Sequence, residues 1–84
     1  MTYAVSILRF AQKQLAEIDH HDHPRIIASI RELADDPRPQ GSKKLSGRTA
    51  WRIRIGVYRV IYEVHDDQRF VLVVSIGHRR DVYK

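Results

Sequence analysis

The sequence predicts a single α+β domain covering residues 1–84, in which a helical hairpin packs on one face of a mostly antiparallel four-stranded sheet. Two segments of the N-terminal half carry apolar residues at three- and four-residue spacing, which is typical of amphipathic helices. One β-rich run precedes these segments and three follow them, giving the order β-α-α-β-β-β. A chain of 84 residues can close one modest core, so we expect no second domain.

The N-terminal half is predicted to contain the first strand and both helices. Thr2–Leu8 alternates apolar residues with smaller or polar ones, as a strand does. The first helix begins at Arg9, and its apolar stripe consists of Leu8, Ala11, Leu15 and Ile18. Asp22 is placed to cap the second helix, with Pro24 in its first turn. The stripe of that helix consists of Ile26, Ile27, Ile30, Leu33 and Ala34, and the prolines of residues 35–39 end it.

The C-terminal half is predicted to contain a polar loop at residues 37–49, three strands and a charged tail. The strands are Ala50–Ile55, Tyr58–His65 and Arg69–Ile76, and the tail is Gly77–Lys84. The last two strands have apolar residues at both parities, whereas two helices cover only one face of a sheet. We therefore expect a partner chain on the second face. The alternative is that strand curvature lets the two faces shield themselves.

A two-residue turn determines how the first two of these strands pair. Gly56-Val57 suits a type II′ turn, in which glycine takes the first central position. The apolar and aromatic side chains of both strands then share the side that faces the helices. On the opposite side Arg54 lies directly across from Arg59, and Arg52 lies one pair along.

Two arginines opposed on a sheet destabilise it. At about 5 Å, two unit charges repel by roughly 1 kcal/mol in a water-like dielectric. Binding of an anion between Arg54 and Arg59 would explain the arrangement, because a guanidinium suits phosphate oxygens. The alternative is that these side chains extend into water, or that they pair with Glu63 and Asp81.

The positive charge is concentrated in the C-terminal half. Residues 1–42 contain five Lys or Arg and six Asp or Glu, whereas residues 43–84 contain ten and four, so the net charge of +5 arises in the second half. This favours a polyanionic partner, with a merely soluble basic surface as the alternative. The chain has no cysteine, no signal-like leader and no apolar run of membrane-spanning length. We therefore expect a cytoplasmic protein without disulfides or membrane association.

Two further groups of residues are candidates for chemistry. Arg79, Arg80 and Tyr83 follow the last strand and can reach the arginine-bearing face. A tyrosine there can bond phosphate, transfer a proton or stack on a base, although a packing role is the ordinary one. Three histidines crowd the corner between the helices, namely His20, His21 and His23. Without cysteine, a solvated turn is a simpler interpretation of them than a metal site.

Three segments carry a pattern that is specific in combination. They are ADDPRPQGSKKLSG at residues 34–47, WRIRIGVYRVIYEV at residues 51–64 and VVSIGHRRDVYK at residues 73–84. Together they give a Pro-rich loop, a Lys-Leu-x-Gly step, basic-x-basic on one strand and Tyr-Arg-x-x-Tyr on the next. Gly-His-Arg and a Val-Tyr pair next to the C-terminus follow. The pattern resembles the RelE/ParE toxin superfamily, and specifically its RelE-type mRNA interferases, over nearly the whole chain.

The resemblance implies a ribosome-dependent endoribonuclease that needs no metal or other cofactor. Such toxins cut mRNA in the ribosomal A site: a ribose 2′-hydroxyl attacks the neighbouring phosphate, leaving a cyclic phosphate and a 5′-hydroxyl. The positions implied to carry this chemistry are held here by Arg52, Arg54, Arg59, Arg79 and Tyr83. Further RNA contacts are expected from Lys43, Lys44, Arg48 and Arg80. The implied protein partner is a cognate RelB-like antitoxin in a toxin–antitoxin hetero-oligomer.

The sequence departs from the family pattern at the basic pair, which is lysine in the best-known interferases and is Arg52 and Arg54 here. Arginine is too weak an acid to exchange protons readily at neutral pH, so proton transfer falls to Tyr83 or His78. His78 is equally interpretable as a phosphate contact or a turn residue. The sequence also ends at Lys84, without the C-terminal helix that some relatives carry.

Two other functions fit the same sequence. A ParE-like toxin on this fold would inhibit DNA gyrase without cutting RNA, and a non-enzymatic basic module would only grip phosphates. The residues at interferase positions favour RNA cleavage over both.

Overall fold

The computed structural model describes residues 2–47 and 49–78 and confirms the α+β class. Its elements in chain order are β1 (Ala4–Ile7), α1 (Arg9–Ala16), α2 (His23–Glu32), β2 (Lys43–Lys44), β3 (Ala50–Ile55), β4 (Tyr58–His65) and β5 (Phe70–His78). The sheet order is β1-β5-β4-β3-β2. β1 runs parallel to β5, and all other neighbouring strands are antiparallel. The helical hairpin therefore connects β1 to β2, the two edge strands at opposite ends of the sheet.

The sheet has five strands where the sequence predicted four. The additional strand, β2, lies inside the predicted loop and pairs Lys43 with Arg52 and Lys44 with Trp51. A strand of two residues is too short to show a period, so the sequence pattern did not reveal it. The prediction was also wrong at the end of the sheet, because β5 continues through His78 where a tail was expected from Gly77.

The hairpin of β3 and β4 has the predicted bounds and the predicted register. Arg54 pairs with Arg59 and Arg52 pairs with Ile61. Gly56 has a φ of +61°, a left-handed conformation that glycine adopts without the steric cost of a side chain. The two-residue turn thus places the two arginines opposite each other next to the turn.

A β-bulge interrupts the pairing of β4 with β5. Tyr62 lies opposite Val73 and Ile61 lies opposite Ser75, so Val74 is the extra residue. Beyond the bulge the backbone N–H of Ile76 donates to Oε1 of Gln14 in α1, at 2.8 Å. The bulge shifts the alternation of side chains, so that Ile76 faces the helices.

The helices cover one face of the sheet, with α1 on β5 and α2 near β3. The buried core consists of Ala11, Leu15, Ile26, Ile30, Leu33, Ile53, Ile55, Val60, Tyr62, Val64, Val71, Val73 and Ile76. Leu8, predicted on the stripe of α1, is 44% exposed. Asp22 precedes α2 as predicted but makes no side-chain capping bond; its carboxylate lies 3.5 Å from Arg25 instead. No helix within residues 2–47 and 49–78 is long and apolar enough to cross a bilayer.

The segment after α2 is held against the sheet by polar contacts. The hydroxyl of the fully buried Tyr62 donates to the carbonyl oxygen of Pro37 at 2.8 Å, and burial raises the pKa of Tyr62 to about 12. Arg38 makes two hydrogen bonds to the carboxylate of Asp66 and lies 5.2 Å from the ring centroid of Trp51. These contacts position the chain that leads into β2.

Candidate nucleic-acid interface

The face of the sheet that points away from the helices, which we call the open face, carries the basic residues of the central hairpin. Alternation along β3 and β4 places Arg52, Arg54 and Arg59 on this face, opposite the core residues Ile53, Ile55 and Val60. Lys43 joins them, because it is the cross-strand neighbour of Arg52. Four cations therefore share one side of three adjacent strands.

Arg52 is the most unusual of the four. Its side chain is only 6% exposed, and its Nε atom has no hydrogen-bond partner among the described residues. Within the same residues no carboxylate lies at ion-pair distance from it. Removing a guanidinium from water without a counter-charge is costly. This environment is one that a bound anion would stabilise.

Arg54 and Arg59 form a cross-strand pair of like charges beside the Gly56 turn. Arg54 is exposed and Arg59 is half-buried. The alternative in which these arginines are neutralised by Glu63 does not match the contacts that Glu63 makes: its Oε1 lies 2.9 Å from Nε2 of His65. Asp81, the other acid considered, lies outside the described residues.

The remaining predicted site residues divide into three groups. Lys44 is exposed and pairs with Trp51, so it lies on the helix side of β2 rather than on the open face. His78 is the cross-strand neighbour of Tyr58, and their rings meet edge to face at 6.0 Å. It therefore lies on the helix side too, away from Arg54. The third group falls outside the described residues and consists of Arg48, Arg79, Arg80 and Tyr83.

A cluster at the far end of the open face is absent from the site residues predicted from the sequence. Glu63 and His65 lie four and six residues after Arg59 on β4, and His65 pairs with Phe70 on β5. The signal for this cluster was the alternation itself, which places all odd residues of β4 from Arg59 to His65 on one side. The histidines between the helices carry no such arrangement: the described residues contain no group of three or more His, Asp or Glu suited to hold a metal.

This geometry agrees with comparisons to known proteins. Residues 5–83 match the family described as ParE toxin of the type II toxin–antitoxin system parDE. The chain belongs to the RelE/ParE toxin superfamily. It is 29% identical to the toxin RelG of Mycobacterium tuberculosis over 92 aligned positions, which cover 100% of this chain and 99% of RelG.

Solved structures of RelE toxins have the same fold as this RelE/ParE toxin. The archaeal RelE–RelB complex from Pyrococcus horikoshii matches with a TM-score of 0.85 and 28% identity, covering 96% of this chain and 99% of that one. The E. coli RelBE toxin–antitoxin complex matches with a TM-score of 0.79 over 90% of this chain and 95% of that one; at 22% identity it supports the fold alone. The family match carries the ParE name, whereas these relatives carry the RelE name.

Proposed function

We propose that this RelE/ParE toxin is a cytoplasmic endoribonuclease of the RelE type, which cleaves mRNA in the ribosomal A site and is inhibited by a RelB-like antitoxin. The observation that carries the proposal is the convergence of Lys43, Arg52, Arg54 and Arg59 on the open face, with Arg52 buried there without an acidic partner among the described residues. Its similarity to RelG and to the Pyrococcus RelE supports the same activity.

The proposed reaction needs charge stabilisation and proton transfer. When a ribose 2′-hydroxyl attacks the adjacent phosphate, negative charge grows on the non-bridging oxygens, and Arg52, Arg54 and Arg59 are suited to stabilise it. In this proposal Arg79 adds a further contact to the same phosphate. Tyr83 transfers a proton, because arginine holds its proton too tightly to do so at neutral pH. Lys43, Arg48 and Arg80 bind the flanking RNA, whereas Lys44, on the helix side of β2, stays a prediction as an RNA contact.

The role of His78 as a general acid or base in cleavage stays a prediction. Its position beside Tyr58 on the helix side gives it no direct line to a phosphate held by Arg54. The test is the cleavage rate of the His78→Gln variant on programmed ribosomes. A rate equal to that of the wild type would remove His78 from the mechanism, whereas a rate loss with unchanged toxin binding would retain it.

The central test is cleavage of a defined mRNA on programmed ribosomes by Arg54→Ala, with Arg9→Ala as the matched control. Arg54 is an exposed residue of the open face, and Arg9 is an exposed residue of α1 on the other side of the protein. Removing one donor to a developing oxyanion typically costs about 100- to 1,000-fold in rate. We expect that loss for Arg54→Ala and a wild-type rate for Arg9→Ala. Equal rates in both variants would contradict the proposal.

A second test distinguishes RNA cleavage from RNA binding. In Tyr83→Phe the ring remains and only the hydroxyl is lost, so we expect cleavage to fall while association with the ribosome persists. If both growth inhibition and cleavage persist in this variant, Tyr83 has no chemical role. If the wild type associates with ribosomes and never cuts the message, the protein is a binding module.

The ParE name of the matching family favours gyrase inhibition as the second candidate function. Inducing the protein in bacteria distinguishes the two. An endoribonuclease would stop translation and leave cut messages. A gyrase inhibitor would trigger the DNA-damage response while messages stay intact.

The proposed antitoxin is a RelB-like protein, in line with the RelB chain in the Pyrococcus complex. The open face also carries half-buried apolar side chains, among them Phe70 and Leu72, that a partner can cover. Co-expression with the product of an adjacent short reading frame should yield a stable complex and suppress cleavage. Failure of every such product to inhibit cleavage would exclude this partner class.

A further inference from the structure

We propose that Glu63, His65 and Phe70 form a nucleobase-binding subsite on the open face, which holds a base of the mRNA strand whose phosphate lies at the arginines. The inference rests on the proposed endoribonuclease function and adds a base-recognition site to it. These three residues lie at the end of the hairpin opposite to the Gly56 turn, and none of them has a part in the core.

The stacking element of this subsite is the pair of rings from His65 and Phe70. The two residues are direct cross-strand neighbours, with ring centroids 6.0 Å apart and ring planes inclined by 27°. Both side chains are half-buried, so the rings are fixed by the sheet while part of each remains accessible. Nearly parallel, partly exposed rings on a sheet are a surface on which single-stranded bases stack, because every base has a π-face.

The polar element is Glu63, which fixes the histidine and can read a base. Its Oε1 lies 2.9 Å from Nε2 of His65, two residues along the same strand. The two side chains are 31% and 38% exposed, so the pair is neither sealed in the core nor fully solvated. A carboxylate has two oxygens, and the second can accept from an exocyclic amino group such as N4 of cytosine. The subsite therefore favours a base with an amino donor over uracil.

The position of the subsite suits a single RNA strand that has one phosphate bound at the arginines. Glu63 pairs with Ala50, which is two residues from Arg52 on β3, and both acid and arginine lie on the open face. From Ile61, the partner of Arg52, to His65 is four residues, or about 13 Å along β4. A single strand whose phosphate is bound at Arg52 can place one of its next bases on the rings. A purely apolar protein surface would instead bury Glu63 and His65 at a desolvation cost.

The test uses the full-length toxin and ribosomes programmed with messages that lack one base at a time in and beside the A site. Loss of a stacked base is worth about 1–3 kcal/mol, which is roughly a 5- to 150-fold change. We expect one abasic position to raise the toxin concentration needed for half-maximal cleavage by an amount in that range. In His65→Ala the same abasic message should cause a smaller further rise than in the wild type, because the variant has already lost the contact between the base and one of the two rings. Changing that base from cytosine to uracil should weaken the wild type and leave Glu63→Gln unaffected.

The control variant is His20→Ala, which removes an exposed histidine from the helical corner and should behave as wild type. Thermal melts establish that each variant is folded, and the abasic series with wild-type toxin needs no variant at all. If no abasic position affects wild-type cleavage, or if His65→Ala retains the wild-type response to each message, the subsite is excluded while the proposed function stands. If His65→Ala loses affinity for the antitoxin but not for messages, the rings belong to a protein interface and the inference is wrong. If the wild type cleaves no message, both proposals fail.

Discussion

At Arg52 the folded protein tolerates an arginine whose exposure is only 6%, with a buried Nε that has no hydrogen-bond partner among the described residues. Its cross-strand neighbours are Lys43 on one side and Ile61 on the other, and neither can neutralise it. A residue in this environment weakens the free protein and strengthens any complex in which an anion reaches it. Stability and activity are therefore expected to oppose each other at this position.

We predict that Arg52→Met raises the free energy of unfolding by about 1 kcal/mol while reducing mRNA cleavage by at least about 100-fold. Methionine fills a similar volume without a charge, and replacing buried ionic groups by apolar ones is often neutral or stabilising. The removed guanidinium is also lost from the phosphate site. Urea titrations and the ribosome assay measure the two quantities.

The matched control for this prediction is Arg9→Met, a change at an exposed helical position that should alter stability by less than about 0.5 kcal/mol and leave cleavage intact. A large loss of stability in Arg52→Met would show that Arg52 already has a compensating partner in the free protein. If Arg52→Met retained wild-type cleavage, Arg52 would have no part in catalysis despite its burial.

The opposition of Arg54 and Arg59 was predictable because Gly56 fixes the turn and the turn fixes the register. The burial of Arg52 was not predictable in the same way. No periodic signal in the sequence distinguishes the buried Arg52 from the exposed Arg54 two residues further along the same face of β3.

Among the elements, the segment that joins α2 to β2 depends on the hairpin turn between β4 and β5. Arg38 and the hydroxyl of Tyr3 both donate to the carboxylate of Asp66. These donors lower the pKa of Asp66 to about 2, with Arg38 as the larger cause. One carboxylate thus connects the N-terminus, the segment after α2 and the sheet.

We predict that Asp66→Asn reduces the acid sensitivity of the fold. Because the pKa of Asp66 is lower in the folded chain than its ordinary value of 3.8, its contribution is fully present above about pH 4 and is lost as the pH falls towards 2. The wild type should therefore lose stability over this range more steeply than Asp66→Asn does. The measurement is the urea midpoint at several pH values. Asp67→Asn, at the exposed neighbouring residue, is the control and should follow the wild type.

We predict that Gly56→Ala destabilises the β3–β4 hairpin by roughly 1 kcal/mol. Gly56 has a φ of +61°, where a side chain costs about 1–2 kcal/mol. An added Cβ would also lie 2.5 Å from Nη2 of Arg25, but the far end of that flexible side chain can move. Thermal melts measure the effect. Gly41→Ala is the control, because Gly41 also has a positive φ but its added Cβ meets no atom within 4 Å, so that only the backbone conformation contributes to the loss of stability. Unchanged stability in Gly56→Ala would contradict the role assigned to the turn.

The helices were predictable because their apolar residues recur every three to four residues. The three long strands were predictable because β-rich runs are separated by turn residues, although the last two strands have apolar residues at both parities. The observed elements differ from the predicted ones at the ends of helices and strands and at the β-bulge. Asp22 lies where a cap was predicted, yet its carboxylate turns towards Arg25, a choice that depends on a contact one turn along the helix. The bulge at Val74 has no sequence signal either, since valines at residues 73 and 74 suit a regular strand equally well.

In the whole molecule, the excess of positive charge lies in residues 43–84, and the fold collects part of it on one face. Within the described parts of the sheet, Glu63 is the acidic residue that shares that face, and it contacts His65. A polyanion approaching the end of this face where Lys43, Arg52, Arg54 and Arg59 lie meets positive charge, whereas the helices carry charges of both signs.

We predict that RNA association depends steeply on salt. Four phosphate contacts to a single strand give a slope of about −3 in a plot of log affinity against log salt concentration. Arg54→Gln should make the slope shallower by about 0.7, and Arg9→Gln should leave it unchanged. Binding of a non-cleavable RNA that carries a 2′-deoxy sugar at the scissile position measures this, and equal slopes in all three proteins would contradict the assignment of the open face.

The extra residue at Val74 has a consequence for comparing toxins of this fold. Before Val74 the odd-numbered residues of β5 point to the helices, and after it the even-numbered ones do, which is why His78 stands beside Tyr58. If Val74 were instead paired in regular register opposite Ile61, Ser75 would take the place of Ile76 in the core and the imidazole of His78 would move to the side of Arg54. Two homologous chains can therefore have the same residues in the same order and still present opposite sets of side chains to RNA. An alignment that matches residue types alone then assigns the end of β5 to the wrong face of the sheet.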